Sequence, residues 1–99
     1  MFTFSDKDPA EIVPVTFDFS RGVGAGATVA VDSVSVAVVA GTDNDPSNLL
    51  QGAATSDGAV AVQWVKAGMD GTDYKLRCTV VASDGQTLVL AAILPVRIK

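Results

Sequence analysis

The stretch that decides the fold is residues 74–80, Tyr-Lys-Leu-Arg-Cys-Thr-Val, in which apolar and polar side chains alternate. A period of two is typical of a β-strand that buries one face and exposes the other. The following residues 83–86, Ser-Asp-Gly-Gln, contain an Asp-Gly pair that favours a tight turn, and Thr-Leu-Val-Leu follows at 87–90. We therefore predict a β-hairpin near the end of the chain.

The same alternation extends over most of the sequence. Further strand-like runs are residues 15–20, 27–31, 34–38, 59–65 and 93–99. The apolar positions change phase at Asp32-Ser33, which predicts a bulge or a short turn between two of these runs. Pro95 interrupts the last run, and this predicts a sheet edge or a bend because proline donates no backbone hydrogen bond.

About seven short strands, with no convincing amphipathic helix, predict an all-β, immunoglobulin-like antiparallel β-sandwich with an extended N-terminal arm. We place the arm or edge strand at residues 1–14 and the sandwich at residues 15–99. Tyr74 follows a glycine-rich corner, so its hydroxyl is expected to hold the backbone of that corner. Trp64 is expected to be a core anchor; the alternative is a surface aromatic that stacks on a sugar.

Composition excludes several classes of function. The chain has 99 residues, 16 Val, 14 Ala, one Cys and no His, so we expect one domain with no imidazole base and no Cys/His zinc site. A net charge of −4 has the wrong sign for binding nucleic acid. The longest apolar run is broken at residues 32–35, so no membrane span is expected, and no secretory signal is seen. Cys78 is interpreted as a small core residue of a protein that is made and assembled in a reducing cytoplasm.

Three patterns resemble chemical sites, and each has a simpler interpretation. Residues 22–26 are glycine-rich, but a strand-like run follows them instead of the helix that a phosphate site needs. Residues 43–45, Asp-Asn-Asp, lack the spacing of a calcium loop and are interpreted as a polar loop. The carboxylate pairs that glycoside hydrolysis would need are Asp18 with Asp32, or Asp70 with Asp73. A sandwich of this size seldom has a suitable cleft, so we predict no enzyme activity and no cofactor.

Two groups of residues are candidates for contact with a partner protein. Phe2 and Phe4 lie on one side of the N-terminal arm, which either adds a strand to a neighbouring subunit or forms the first edge strand of its own sandwich. The second group is a basic strip that faces an acidic partner across adjacent strands. Its members are Lys75, Arg77, Arg97 and Lys99.

Both ends of the sequence resemble a group of small bacteriophage structural proteins. Residues 7–20 (KDPAEIVPVTFDFS) are similar to the group's opening, Lys-Asp-Pro followed by Phe-Asp-Trp or Phe-Asp-Phe. Residues 71–81 (GTDYKLRCTVV), 85–87 (GQT) and 96–98 (VRI) are similar to its ending. The chain departs from this pattern in having Phe19 where Trp is common and Cys78 where a polar residue is common.

This resemblance implies an Ig-like virion component without assigned activity. The leading hypothesis is a capsid decoration or cement protein that binds the major capsid protein or other virion proteins, as a homo-oligomer or bound to the capsid lattice. Repetition on a symmetric lattice strengthens weak individual contacts. The alternatives are a head-to-tail connector or tail component that forms a ring, and a host-surface carbohydrate-binding module.

Overall fold

The protein is an all-β sandwich. The computed structural model describes residues 2–99, and it describes Phe2 through its backbone alone. The strands are β1 (Phe2–Thr3), β2 (Val13–Asp18), β3 (Val29–Ala40), β4 (Leu50–Asp57), β5 (Val60–Val65), β6 (Thr72–Ala82) and β7 (Thr87–Val96). A short 3₁₀ helix, Pro46–Leu49, precedes β4. The predicted all-β class with about seven strands is confirmed, and no helix of the described part is long and apolar enough to cross a membrane.

The strands form two sheets with the orders β1-β7-β6-β3 and β2-β5-β4. All neighbours are antiparallel except β1 and β7, which run parallel. If β2 to β7 are taken as strands B to G, these orders are the B-E-D and G-F-C orders of an immunoglobulin sandwich. The first strand lies beside β7, so the outer edge of β2 is left without a neighbour among the described residues.

The predicted hairpin is β6 and β7, paired from Thr72 with Val96 to Val81 with Thr87. The two runs on either side of Asp32-Ser33 are one continuous strand, β3, and the predicted bulge lies between Val31 and Ser33. The last two predicted runs are likewise one strand, β7. The count of seven is reached because β1 and β4 add two strands that alternation did not reveal.

β4 was not predicted because its sequence, Leu-Gln-Gly-Ala-Ala-Thr-Ser-Asp, shows no regular alternation of apolar and polar residues. It pairs with β5 at both ends, and its register shifts between Gln51 and Thr55. At this shift Gly52 has a φ of +71°, which glycine adopts without steric cost. The side chain of Gln63 donates to the Gly52 carbonyl over 3.1 Å and so bridges the irregular segment.

The core lies between the sheets, where alternate side chains of β6 point inward. Its largest members are fully buried: Phe17, Leu49, Tyr74, Leu76 and Leu94. Smaller residues, among them Ala61, Cys78 and Ala92, fill the space between them. The abundance of Val and Ala thus gives a core of small side chains with a few large ones, in a molecule that measures 40 × 21 × 20 Å.

Candidate docking surfaces

The N-terminal arm lies on its own domain. Phe2–Thr3 pairs with β7, and the Phe4 N–H donates to the Ile93 carbonyl over 2.8 Å. The ring of Phe4 meets Phe17 edge to face, with 5.6 Å between the ring centroids. Of the two placements that the sequence left open, the structure therefore has the first edge strand of its own sandwich. The side chain of Phe2 lies outside the described residues, and contact of Phe2 and Phe4 with a partner stays a prediction.

Lys7 fixes the arm to the domain. Its side chain is 1% exposed, and its backbone N–H donates to the Pro95 carbonyl over 3.0 Å. The ammonium Nζ donates to the Ala67 carbonyl over 2.6 Å and to the Asp8 carbonyl over 3.0 Å. Burial lowers the pKa of Lys7, and the charges of Glu11 and Asp8 partly oppose that effect. A buried ammonium that is bonded to carbonyls stabilises one placement of the chain before β2.

Asp8, Glu11 and Lys99 complete this attachment, and with Lys7 we call them the N-terminal clasp. Asp8 accepts the backbone N–H of Lys99 over 2.8 Å, and Glu11 accepts the Lys99 ammonium over 3.0 Å. The pKa of the Asp8 carboxyl is lowered mainly by N–H groups of Lys99 and Ala10. The pKa of the Glu11 carboxyl is lowered mainly by the Asp8 N–H and then by Lys99. The clasp therefore joins the start of the chain to its end.

The clasp was not predicted from the sequence, although Lys7 and Asp8 belong to the stretch that resembles small phage structural proteins. A local signal was present, because Asp8 and Glu11 have the D-x-x-E spacing of a capping box. The Asp8 N–H donates to Glu11 over 2.7 Å in that manner. The bond from Lys7 to Ala67 spans 60 residues, so only the tertiary structure reveals it.

The predicted basic strip is divided. Lys75 and Arg77 are two residues apart on the outer face of β6, between β3 and β7. Arg97 instead forms an ion pair with Asp73 at 2.7 Å, and Lys99 belongs to the clasp. Two of the four cations thus lie together on one face, while the other two are paired with carboxylates. Contact of these four residues with an acidic partner stays a prediction.

Tyr74 holds the corner before β6, as the sequence predicts. Its hydroxyl accepts the Met69 N–H over 2.8 Å and donates to the Asp43 carboxylate over 2.6 Å. The pKa of Tyr74 is raised to about 12, mainly by burial and then by the hydrogen bond to Asp43. Asp43 also accepts the Asp45 N–H over 2.9 Å. The Asp-Asn-Asp loop thus anchors a tyrosine, a role that sequence analysis did not foresee.

The prediction that Trp64 anchors the core is wrong. Trp64 is 46% exposed on the outer face of β5, between Pro14 of β2 and Gln51 of β4. Its neighbour Gln63 points inward and is 2% exposed. The inward residues of β5 are Ala61, Gln63 and Val65, and the buried amide of Gln63 donates to the carbonyls of Gly52 and Trp64. This leaves a large aromatic side chain available to a partner.

Two grooves run along the flanks of the sandwich. The larger, with a volume of about 510 Å³, lies between the arm and β2, where its apolar lining includes Phe4, Val13 and Leu94. The smaller, about 270 Å³, lies between β3 and β4 and is lined by Val34, Leu50 and small residues. Both grooves are open to solvent. They suit an extended peptide better than a small molecule.

Several residues of the candidate chemical sites make contacts within the domain. The glycine-rich loop leads into β3, and its Gly24 N–H donates to the Asp84 carboxylate over 3.1 Å. Asp73 is held by Arg97, and Asp70 accepts the Ile98 N–H over 2.9 Å. Within residues 2–99 no cluster of three or more His, Cys, Asp or Glu is suited to a metal ion. Burial raises the pKa of the Cys78 thiol to about 11, so little thiolate forms at neutral pH.

Comparison with known proteins gives a family assignment. No curated protein matches this sequence. Residues 7–95 match a family model, and this stretch includes Lys7, the corner tyrosine and almost all of both sheets. The chain therefore belongs to the family described as podophage GP4 fiber-tail adaptor protein gp77, a family of phage structural proteins.

Proposed function

We propose that this protein is a virion tail component that joins a fiber to the tail by protein–protein contacts and performs no catalysis. The observation that supports it is the family match over residues 7–95. A family of fiber-tail adaptors favours the tail alternative of the sequence analysis over head decoration. The elongated shape, 40 Å by about 20 Å, is compatible with contacts to one partner at each end.

The surfaces described above supply the contacts in this proposal. Trp64 is the exposed aromatic of the β2-β5-β4 sheet, and buried tryptophans are frequent centres of binding energy at interfaces. Lys75 and Arg77 lie on the outer face of the other sheet and would meet an acidic partner. The two faces are opposite sides of the sandwich, so the domain has one aromatic and one basic side.

The test is a phage in which this gene is interrupted. We expect particles with normal, filled heads that lack fibers, together with wild-type particles in which this protein copurifies with tails at a tail-like copy number. Quantitative mass spectrometry and electron microscopy of both particle types give the measurement. A copy number matching the capsid lattice, with fibers intact on mutant particles, would support head decoration and overturn the adaptor proposal.

A substitution refines the test. Trp64→Ala in the phage should weaken attachment of the fiber or of the tail, because truncation of a central interface aromatic costs about 2 kcal/mol or more, roughly thirtyfold in affinity. Met69→Ala is the matched control, since Met69 is 54% exposed at the corner before β6. Binding of labelled glycans that Trp64→Ala abolishes, with fibers retained, would instead favour the carbohydrate-binding alternative.

A further inference from the structure

The four lateral edges of the two sheets are not protected equally. The arm covers the second half of β7, from Ala92 to Val96, and β2 contains Pro14. β4 has an interrupted register between Gln51 and Thr55. Proline, bulges and covering segments are the devices by which proteins prevent edge-to-edge association. β3 also has two register shifts, between Val31 and Ser33 and between Val38 and Ala40, but the stretch from Ser33 to Val38 is regularly paired with β6 and contains no proline, lysine or arginine.

The free side of β3 is defined by the hairpin beside it. The Ala82 N–H donates to the Gln86 carbonyl, so even-numbered residues of β6 bond to β7 and odd-numbered ones bond to β3. Ser35 and Ala37 lie opposite Arg77 and Lys75, so their backbone groups bond to β6. The alternate residues Val34, Val36 and Val38 therefore direct their backbone N–H and C=O groups to the other side, away from the sheet.

The side chains along β3 form two rows with different properties. The inward row consists of valines that are only half-buried: Val31, Val34, Val36 and Val38. The outward row is small and uncharged: Ala30, Ser33, Ser35 and Ala37. The only charged residue of the strand is Asp32, which lies at the bulge.

We propose that β3 pairs antiparallel with β3 of a second copy of this chain, across a two-fold axis near Ser35 or Val36. A second copy is the occupant that fits both rows, because it places a valine row beside a valine row and small neutral residues beside small neutral residues. With the axis at Ser35, Asp32 faces Val38 of the other copy; with the axis at Val36 it faces Ala40. Neither register brings two like charges together.

The neighbouring sheet leaves room for this contact. β4 is the edge of the second sheet on the same flank, and at the level of the groove it consists of Gly52, Ala53 and Ala54. These short residues do not obstruct a partner, and the partner would cover the open groove of about 270 Å³ between β3 and β4. Pairing would thus extend one sheet across both copies and bury the exposed sides of the valines. This inference does not depend on the proposed function.

The experiment compares two doubly substituted full-length chains. Ser35→Glu with Ala37→Glu places carboxylates opposite Arg77 and Lys75 of the same chain, which the fold accepts, but it brings four carboxylates together across the two-fold axis. Thr16→Glu with Thr87→Glu is the control, with the same change of charge at exposed positions of β2 and β7. Sedimentation and native mass spectrometry give the dimer dissociation constant, and the melting temperature verifies folding.

We expect a dimer for the wild type and the control, and at least a tenfold higher dissociation constant for the β3 variant. Hydrogen exchange of the wild type is a second measurement, in which the Val34 and Val36 amides should become protected as protein concentration rises. With the axis at Ser35, a Ser35→Cys variant should also form a disulfide-linked dimer, and with the axis at Val36 the double variant Ser35→Cys with Ala37→Cys should do so, while the buried Cys78 does not react. A monomeric wild type, an unchanged constant in the β3 variant, or protection confined to β2 or β7 would overturn the proposal.

Discussion

The two flanks of this sandwich differ in how far their sheet edges are covered. On one flank, the arm covers the second half of the β7 edge, and the N-terminal clasp fixes it with a buried ammonium and an ion pair. On the other flank, β3 pairs with β6 on one side and has no strand paired to its other side among the described residues, and the loop that follows it is held by the bond from Tyr74 to Asp43. An unpaired edge strand is a liability unless something covers it, and the proposed pairing of β3 with a second copy would supply that cover.

The largest expected effect concerns the end of the open flank. Gly41 follows β3 with a φ of +90°, and a Cβ there would lie 2.8 Å from the Gly71 carbonyl oxygen. Gly41→Ala should lower the free energy of unfolding by about 3 to 4 kcal/mol, from a strained φ together with overpacking against backbone. Gly26→Ala is the control, because Gly26 has a φ of +77° but no atom within 4 Å of the added Cβ. Equal losses in urea denaturation would show that β3 is not fixed at this point.

The hydrogen bond between Tyr74 and Asp43 should make the stability depend on pH. The folded pKa of Tyr74 is about 12, above the ordinary 10.0, so the fold favours the protonated hydroxyl. Its contribution to stability is complete below pH 10 and is lost as the pH rises toward 12. Because one pKa unit corresponds to about 1.4 kcal/mol, the loss approaches about 3 kcal/mol. Tyr74 is the only tyrosine, so phenolate absorbance measures its titration directly. Tyr74→Phe should remove this part of the pH dependence, and a titration near pH 10 would contradict the bond.

The clasped flank has its own test. Lys7→Ala should destabilise the domain by about 2 kcal/mol, because hydrogen bonds from a charged donor contribute about 1.5–3 kcal/mol and part of this is offset by the desolvation that the variant avoids. Lys75→Ala, on the outer face of β6, is the control and should change stability by at most about 0.5 kcal/mol. The measurement is urea denaturation of both variants. Similar values for the two lysines would mean that the arm is not pinned by its ammonium.

The smallest effect is expected at the rim of the clasp. The ion pair between Lys99 and Glu11 is half-exposed at 3.0 Å, so Lys99→Ala should cost about 0.5 kcal/mol, less at high salt. Thermal unfolding at two salt concentrations provides the comparison. The backbone hydrogen bond from Lys99 to Asp8 persists in this variant. A loss of stability as large as that of Lys7→Ala would show that the surface ion pair contributes as much as the buried ammonium.

Local pattern was sufficient where a strand alternates cleanly. Residues 74–80 predicted β6 and the hairpin, because each inward side chain there is apolar and each outward one is polar or charged. It failed for Trp64 and Gln63, because the polar Gln63 points inward, where its amide donates to the Gly52 carbonyl, and the aromatic Trp64 points outward. It also failed for β4, whose small and polar residues have no period. In both cases the deciding contact lies on another strand, so no window of the sequence contains it.

The candidate surfaces divide in the same way. The sequence predicted Phe4, Lys75 and Arg77 as candidates for contact with a partner. Whether such a side chain already packs within its own domain depends on residues distant in the chain, as the contact of Phe4 with Phe17 shows. The clasp could be suspected from the D-x-x-E spacing, whereas its carbonyl acceptor at Ala67 could not. Proximity in a sandwich is set by which strands are neighbours, and the sequence does not encode that order locally.

The sequence by itself determined that this chain is a β-sandwich with a hairpin at its end and a tyrosine at its corner. These features follow from a two-residue period and from turn chemistry, which act over a few neighbouring residues. Only the tertiary structure decided which flank is closed and which edge remains open. That choice depends on where the arm docks, and the arm is held by contacts between residues far apart in the sequence, such as the ring contact of Phe4 with Phe17 and the bond from Lys7 to Ala67.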